Sequence, residues 1–402
     1  MLTGIKVIEL SHIMAGPVCG MLLADMGADV IKVEKIPGGD DTRRSVPPEI
    51  NGESAAFMIM NRNKRGVALD LKADAGKAVL KRLVEHSDIL IENFRKGTMD
   101  KLGLGYEVLA EINPALVYCE VSGFGRTGPY ADRGGFDLIA QGMSGLMSIT
   151  GEGPGRPPVK CGAPLTDITA GILAAMGVLG AYVERLKSGR GQRVDTSLFE
   201  AGITHTFWQS AIAFATGESP GAMGSAHPLN APYQAFATAD GWITIGAANQ
   251  RNWEKLLDVL GAPQLQQDGR FASNDARMRN LSALQESLAE YFSKRGSEDW
   301  LQRLEQAGVP AGPILGIAEV HRDPQALARA MVQTVQHPVA GEVQTLGHPV
   351  KYSRTPASIR RAAPVYGQHG REVLAEIGYK DSEIDELLAQ GVLSVPNDAN
   401  SG

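Results

Sequence analysis

Along the first two hundred positions, short runs of β-branched and other apolar residues alternate with longer stretches whose apolar positions recur every three or four residues. Residues 5–10, 29–34, 88–92 and 116–122 read as buried strands, and 17–26, 73–86 and 106–112 as helices between them. This alternation predicts a mainly parallel sheet with helices on its faces. Residues 166–187 are apolar and rich in Ala and Gly, the pattern of a helix packed closely inside a domain; Gly189 and Gly191 end it. Residues 192–197 read as another strand, followed by one helix over 198–216.

At 217–232 Gly, Ser, Pro and Asn crowd together, which predicts a linker. Residues 232–247 then alternate as a hairpin with Asp240-Gly241 at its turn, and helices are predicted near 251–260, 282–292 and 297–307. A chain of 402 residues exceeds what one core serves, about 250–300 residues, so two domains are expected. Their bounds are 1–216 for the first part of a large α/β domain, 217–232 for the linker and 233–325 for a small α+β domain. Residues 326–402 are a linker and a return to the large domain, with surface helices near 370–377 and 381–390.

Composition changes this picture little: with 43% hydrophobic and 21% charged residues, only the last eight or so positions suit a disordered tail. A net charge of −6 argues against nucleic acid or an anionic membrane as partner, so any anionic ligand must be met by local cations. Cys19, Cys119 and Cys161 show no CxxC spacing, which speaks against a disulfide framework or zinc site and fits a reducing cytoplasm. The N-terminal MLTGIKVIEL lacks a signal-peptide pattern, and no apolar run reaches about 18 residues without polar interruption, so no membrane span is expected. The eight histidines form no HExxH or close acidic cluster, and metal-free chemistry is expected.

Leu10-Ser11-His12-Ile13-Met14-Ala15-Gly16-Pro17 sits where a strand ends and a helix begins, a place where free N–H groups and the helix dipole suit a phosphate; it is equally the pattern of a plain turn. Further cations follow strand-like runs: Lys35, the stretch 61–65 leading to Leu69 and Lys72, and Asn93-Phe94-Arg95 with Lys101. Any one run reads as solvated surface; together at strand ends they suit a polyphosphate. Asp167, at the start of the apolar helix, is either an N-cap or a positioned nucleophile, and Gly135-Phe136-Asp137 supplies a second acid.

In this order the segments resemble the class III CoA-transferases, which include formyl-CoA and carnitine CoA-transferases, from Gly4-Ile5-Lys6-Val7 to Gly378-Tyr379. The resemblance is carried by Ala15-Gly16-Pro17, Gly27-Ala28-Asp29-Val30-Ile31-Lys32-Val33-Glu34, Asn63-Lys64-Arg65, Asn93-Phe94-Arg95, and Asp167 with Gly171. It implies a Rossmann-like large domain built from both chain ends, a smaller α+β domain, and an interlocked homodimer. It implies CoA transfer from an acyl-CoA to a small carboxylic acid, with no tightly bound cofactor and with Asp167 as nucleophile. The implied CoA contacts are His12, Ile13, Met14, Lys35, Leu69, Lys72, Asn93, Phe94, Arg95, Lys101, Gly134, Gly135, Phe136 and Asp137.

Two other readings stand beside it: an α-methylacyl-CoA racemase or epimerase, and a non-catalytic acyl-CoA-binding protein. The racemases of this superfamily carry a histidine immediately before the acid that aligns with Asp137. This chain has Phe136, which cannot take a proton, so transfer is favoured. Where formyl-CoA transferases carry a glycine-rich loop, this chain has Gly221-Ala222-Met223-Gly224-Ser225-Ala226-His227-Pro228, which weakens the case for formate or oxalate.

Overall fold

A computed structural model describes residues 1–396; the rest of the expected tail, 397–402, lies outside the described residues. Six strands, β1 (Lys6–Glu9), β2 (Asp29–Glu34), β3 (Lys64–Leu69), β4 (Ile89–Glu92), β5 (Val117–Ser122) and β6 (Arg193–Ser197), form a parallel sheet in the order 3-2-1-4-5-6. Leu393–Ser394 adds antiparallel to the free side of β3. This is the doubly wound order, in which the chain reverses direction across the sheet between β1 and β4.

Helices cover both faces because alternate strand residues are apolar on each. On one face Ile8, Ile31, Val67 and Leu90 pack with Val79, Leu80 and Leu83 of α2 (Asp74–Glu85) and with Val373, Leu374 and Ile384 from near the C-terminus. On the other, Val7, Val30, Ile91 and Cys119 pack with Cys19 and Leu23 of the helix Ala15–Asp25, here α1. The same face takes Ala170, Ala174 and Val178 from α4 (Leu165–Ser188), numbered to leave α3 for Asp137–Met143. By length and composition alone α4 is apolar enough to cross a bilayer, although Thr169 and Glu184 interrupt its apolar run as the sequence reading has it. Its small residues answer to packing instead: a Cβ on Gly171 would stand 2.6 Å from the Ala15 carbonyl oxygen of α1.

Three elements differ from the sequence reading. Residues 61–65 are not a surface basic stretch: Lys64 and Arg65 begin β3, the Lys64 side chain reaching the buried Glu9 and the buried Arg65 reaching Asp29, Glu372 and Glu376 nearer the surface, which hides the strand behind two charges. Residues 198–216 form two helices, α5 (Leu198–Thr204) and Phe207–Thr216, broken at His205-Thr206. Val332–His337 and Gly341–Leu346 form a hairpin where only Pro and Gly punctuation stood out.

Contacts divide the chain into two compact units, one of Met1–Ser144, Cys161–His205 and the segment from Asp323 on, the other of Gly145–Lys160 and Thr206–Arg322. The sequence pattern places the linker at 217–232 and the small domain at 233–325. Within the second unit, strands Tyr233–Ala237, Trp242–Gly246 and Ala311–Pro313 form an antiparallel sheet with Trp242–Gly246 in the middle. Its core is aromatic: Phe236, Trp253, Phe271, Phe292 and Trp300 are all buried.

Under α1 the sheet of the first unit carries a fully buried ion cluster. The Glu9 carboxylate of β1 stands 3.0 Å from Lys32 Nζ of β2 and 2.8 Å from Lys64 Nζ of β3. Lys64 also donates to the Pro17 carbonyl (2.9 Å) and Asn61 Oδ1 (2.8 Å). Burial pushes the Lys64 ammonium down to about 8 despite Glu9, whereas Glu9 and Asp40 outweigh burial at Lys32 and hold it above the usual lysine value. Room for the cluster comes from Gly20, whose Cβ would lie 1.9 Å from Glu9 Oε2. Removing one charge of a buried set leaves the others uncompensated, so Glu9→Gln is expected to cost about 3–5 kcal/mol in urea unfolding. Gly20→Ala, which only crowds the cluster, is expected to cost about 1–3 kcal/mol; a Glu9→Gln midpoint equal to wild type would count against the cluster as a stabilising unit.

Candidate functional site

The turn after β1 is fixed atom by atom. Lys32 Nζ donates to the Ser11 carbonyl (2.8 Å), and the Asn93 side chain, just past β4, accepts from His12 N (2.9 Å) and donates to His12 O (2.7 Å). Ile13, in the left-handed region at φ 68°, donates its N–H to Asp40 Oδ1 (3.1 Å). Asp40 is itself 2.8 Å from Lys32 Nζ, whose charge holds its carboxyl well below the usual range against the effect of burial. The turn at the switch point therefore hangs on the buried ion cluster, and Gly16 lets the chain close: a Cβ there would be 2.2 Å from Ser11 Cβ. The adjoining turn after β4 is held likewise, Glu92 accepting from Phe94 N (2.6 Å) and from Arg126 Nη2 (2.6 Å). Burial, opposed by Arg126, pushes Glu92 up to about 8.

Above the carboxyl ends of β1 to β4 lies a cavity of about 650 Å³. Of the expected ligand residues it brings together His12, Lys35, Leu69, Lys72, Phe94 and Lys101. Leu10, Val33, Leu69 and Phe94 give it apolar walls, and the His12 and Phe94 rings lie 5.8 Å apart. Lys72 and Lys101 are exposed and have no carboxylate partner among the described residues, whereas Lys35 is already 2.8 Å from Asp41. Ile13, Met14 and Asn93 are not in this lining: Asn93 braces the His12 turn, Ile13 is exposed beyond it and Met14 caps α1.

Arg95 and the 134–137 turn form a separate group. A Cβ on Gly134 would stand 3.5 Å from Arg95 Nη2, in ordinary contact, whereas one on Gly135 would stand 2.4 Å from Gly123 Cα, so Gly135 permits a close approach of the two chain segments. Phe136 is 74% exposed just ahead of α3 and donates nothing to the site. Asp137, the first residue of α3, is saturated: Oδ1 accepts from Thr166 N (2.9 Å) and Thr166 Oγ1 (2.8 Å), and Oδ2 from Gln141 Nε2 (2.7 Å).

Asp167 follows Thr166 as the third residue of α4, so it is not the N-cap, a position Pro164 occupies. One turn before Gly171, it shares the face of α4 that meets α1. Its half-buried carboxylate has no hydrogen-bond partner among the described residues, and burial first, then the Asp137 charge, push it up from 3.8 to about 6. The two acids thus differ in kind: Asp137 is tied down, Asp167 is bare and destabilised as an anion.

Sequence reasoning missed Lys32, Asp40, Glu92 and Arg126, whose partners are far along the chain. It also placed Arg62, Lys64 and Arg65 among possible phosphate ligands, whereas they pair inside the fold with Asp25 (2.6 Å), Glu9 (2.8 Å) and Asp29 (2.6 Å).

The raised Asp167 value sets a pH dependence. Between about 4 and 6 the native state holds a proton there that the unfolded chain has lost, so this site lowers stability as pH rises through that window. Asp167→Asn is expected to be more stable than wild type above pH 6 by about 1–2 kcal/mol after allowance for partial exposure. The gain should vanish below about pH 4. Urea unfolding at both pH values reads this, and a gain independent of pH would contradict it.

A family model described as CoA-transferase family III matches residues 2–370. The chain is 40% identical over 382 residues to a succinate–glutarate CoA-transferase of Agrobacterium fabrum, covering 94% of this chain and 95% of that one. It is 36% identical over 393 residues to the human succinyl-CoA:glutarate CoA-transferase, covering 98% and 90%. The crystal structure of a CaiB/BaiF family protein from Brucella suis superposes with a TM-score of 0.84 at 42% identity, covering 94% of this chain and 99% of that one. A sheet ordered 3-2-1-4-5-6 and a match that runs through all its strands point the same way: the chain belongs to CoA-transferase family III and is a transferase of coenzyme A.

Proposed function

We propose that this CoA-transferase works through covalent intermediates on Asp167 and that its acids are small dicarboxylates, the class named for the relatives. The observation that carries the mechanism is a carboxylate left without hydrogen bonds at the start of a 24-residue helix. Desolvation makes such an anion a better nucleophile, and the helix dipole keeps it ionised at neutral pH.

An Asp167 oxygen attacks the donor thioester carbonyl; the C–S bond breaks, giving a mixed anhydride and CoA thiolate. The thiolate attacks the aspartyl carbonyl, the anhydride C–O bond breaks, and the donor acid leaves from an aspartyl-CoA thioester. The acceptor carboxylate then attacks that thioester, releasing the thiolate and forming a second anhydride. Attack of the thiolate on the acceptor carbonyl yields the new acyl-CoA and restores Asp167. Two covalent stages keep the thioester energy from water.

In this reading CoA lies along the large-unit cavity, its phosphates met by Lys72 and Lys101 of the lining and by Arg95 outside it, and its apolar parts by Leu69 and Phe94. His12, which burial holds below the usual histidine range, stands neutral beside it. Asp167→Asn is expected to keep CoA affinity but lose transfer by several orders of magnitude, and only the wild type should give a hydroxylamine-sensitive adduct on the Asp167 peptide after exposure to succinyl-CoA. Lys72→Ala with Arg95→Ala should do the reverse, weakening CoA binding and flattening its salt dependence while leaving adduct formation at saturating substrate. An Asn variant that transfers CoA at the wild-type rate would end the mechanism.

We also propose a homodimer. Within the first unit α4 exposes Ile172, Met176 and Leu186, and within the second the helix Phe207–Thr216 has no buried residue and leaves Phe214 89% exposed. Monomeric surfaces rarely leave such apolar faces open. Sedimentation at micromolar concentration is expected to give a dimer; an active monomer would remove the proposal.

A further inference from the structure

The described residues include six cationic side chains that are buried, and five of them meet a carboxylate: Lys32, Arg62, Lys64, Arg65 and Arg126. The sixth, Arg277 in the second unit, is 0% exposed and has no carboxylate within ion-pair distance among the described residues. Its guanidinium donates only to neutral oxygens: the carbonyls of Ala231 (2.7 Å), Phe271 (3.0 Å) and Ala248 (3.3 Å), and Gln250 Oε1 (3.1 Å). Those bonds use four of its five N–H groups and leave one on Nη2 without an acceptor among the described residues. A buried charge with no counter-charge is costly, and every other buried lysine or arginine among the described residues has one.

Arg277 lines a cavity of about 730 Å³ in which no aspartate or glutamate takes part, although the protein is acidic overall. Of the other polar side chains there, Asn249 and Ser273 accept from backbone N–H groups as helix N-caps, and His227 is oriented to donate. His227 Nδ1 accepts from Leu229 N (3.1 Å) and lies 3.2 Å from Asn230 Nδ2, which puts the proton of the neutral ring on Nε2 and makes that atom a donor. The loop carrying His227 is braced by Asn274, which accepts from Ala231 N (3.1 Å) and donates to Leu229 O (2.9 Å). Gln250 opens the helix Gln250–Leu260, whose dipole adds a positive end at the same wall.

We propose that this cavity of the second unit is an oxyanion site for a small carboxylate, with Arg277 as its buried countercharge and His227 as a second donor. The identification of the occupant as a carboxylic acid rests on the transferase reading; the oxyanion chemistry of the cavity does not. Since Arg277→Met removes three carbonyl bonds and risks the fold, the decisive variant is Gln250→Glu. It puts a carboxylate at the exposed position already bonded to Arg277, supplying from the protein what the ligand would bring.

Full-length protein without acyl-CoA is titrated calorimetrically with glutarate, with inorganic phosphate and with CoA. Wild type is expected to bind glutarate, and Gln250→Glu to weaken that binding by at least about tenfold, the scale of one charge-assisted bond. Asp167→Asn should bind glutarate as wild type does, which separates this site from the covalent chemistry. Phosphate binding equal to glutarate binding, lost together in Gln250→Glu, would support the oxyanion site even if Asp167 proved not to be a nucleophile. CoA that competes with glutarate in wild type would assign the site to a CoA phosphate and overturn the carboxylate assignment. Equal glutarate affinity in Gln250→Glu and wild type, or no binding of either small anion at about 10 mM, overturns the site itself.

Discussion

Glu9 is held between two lysine ammonium groups in the interior of the sheet, and much of the first unit follows from that arrangement. Each of the three charges comes from a different strand, so β1, β2 and β3 are joined through side chains as well as through their backbone ladders. None of the three is tolerable alone at zero exposure. Lys32 has donors to spare after Glu9, and these reach the Ser11 carbonyl and Asp40, which in turn holds Ile13 in its left-handed conformation. The turn at the switch point is thus positioned by buried charge, with apolar packing behind it.

The same contrast between satisfied and unsatisfied charge separates the two acids of the 137–167 pair. Asp137 spends its oxygens on Thr166 and Gln141 and so anchors the first turn of α4 from a different helix. Asp167, one residue on, is left exposed to that neighbouring charge. Equivalent side chains become a bonded brace and a bare, half-buried carboxylate because of what each touches.

Strands made of uninterrupted apolar residues were legible, as were the Asp240-Gly241 hairpin and the long helix bearing Asp167, since period and turn chemistry are local signals. β3 was not, because its first two residues are charged and their acid partners Glu9 and Asp29 lie far back in the chain. The break at His205-Thr206 carries neither Gly nor Pro, so nothing in the local sequence marks it. At the candidate site, position at strand ends and resemblance picked out residues of which His12, Lys35, Leu69, Lys72, Phe94 and Lys101 line one cavity. Their supports, Asp40 beneath Ile13 and Thr166 on Asp137, depend on contacts that no short window contains.

The edge of the sheet at β3 is closed by Leu393–Ser394, and Val373, Leu374, Ile384 and Leu387 complete the cover that α2 begins on the face beside it. A ribosome delivers those residues after everything else in both units. Until then the nascent first unit carries an unpaired strand edge and a partly covered apolar face, two features that invite wrong partners. The entire second unit emerges during that interval, so synthesis of this protein includes a long stretch in which the first unit has been made but cannot yet be finished, and chaperone protection is most needed there.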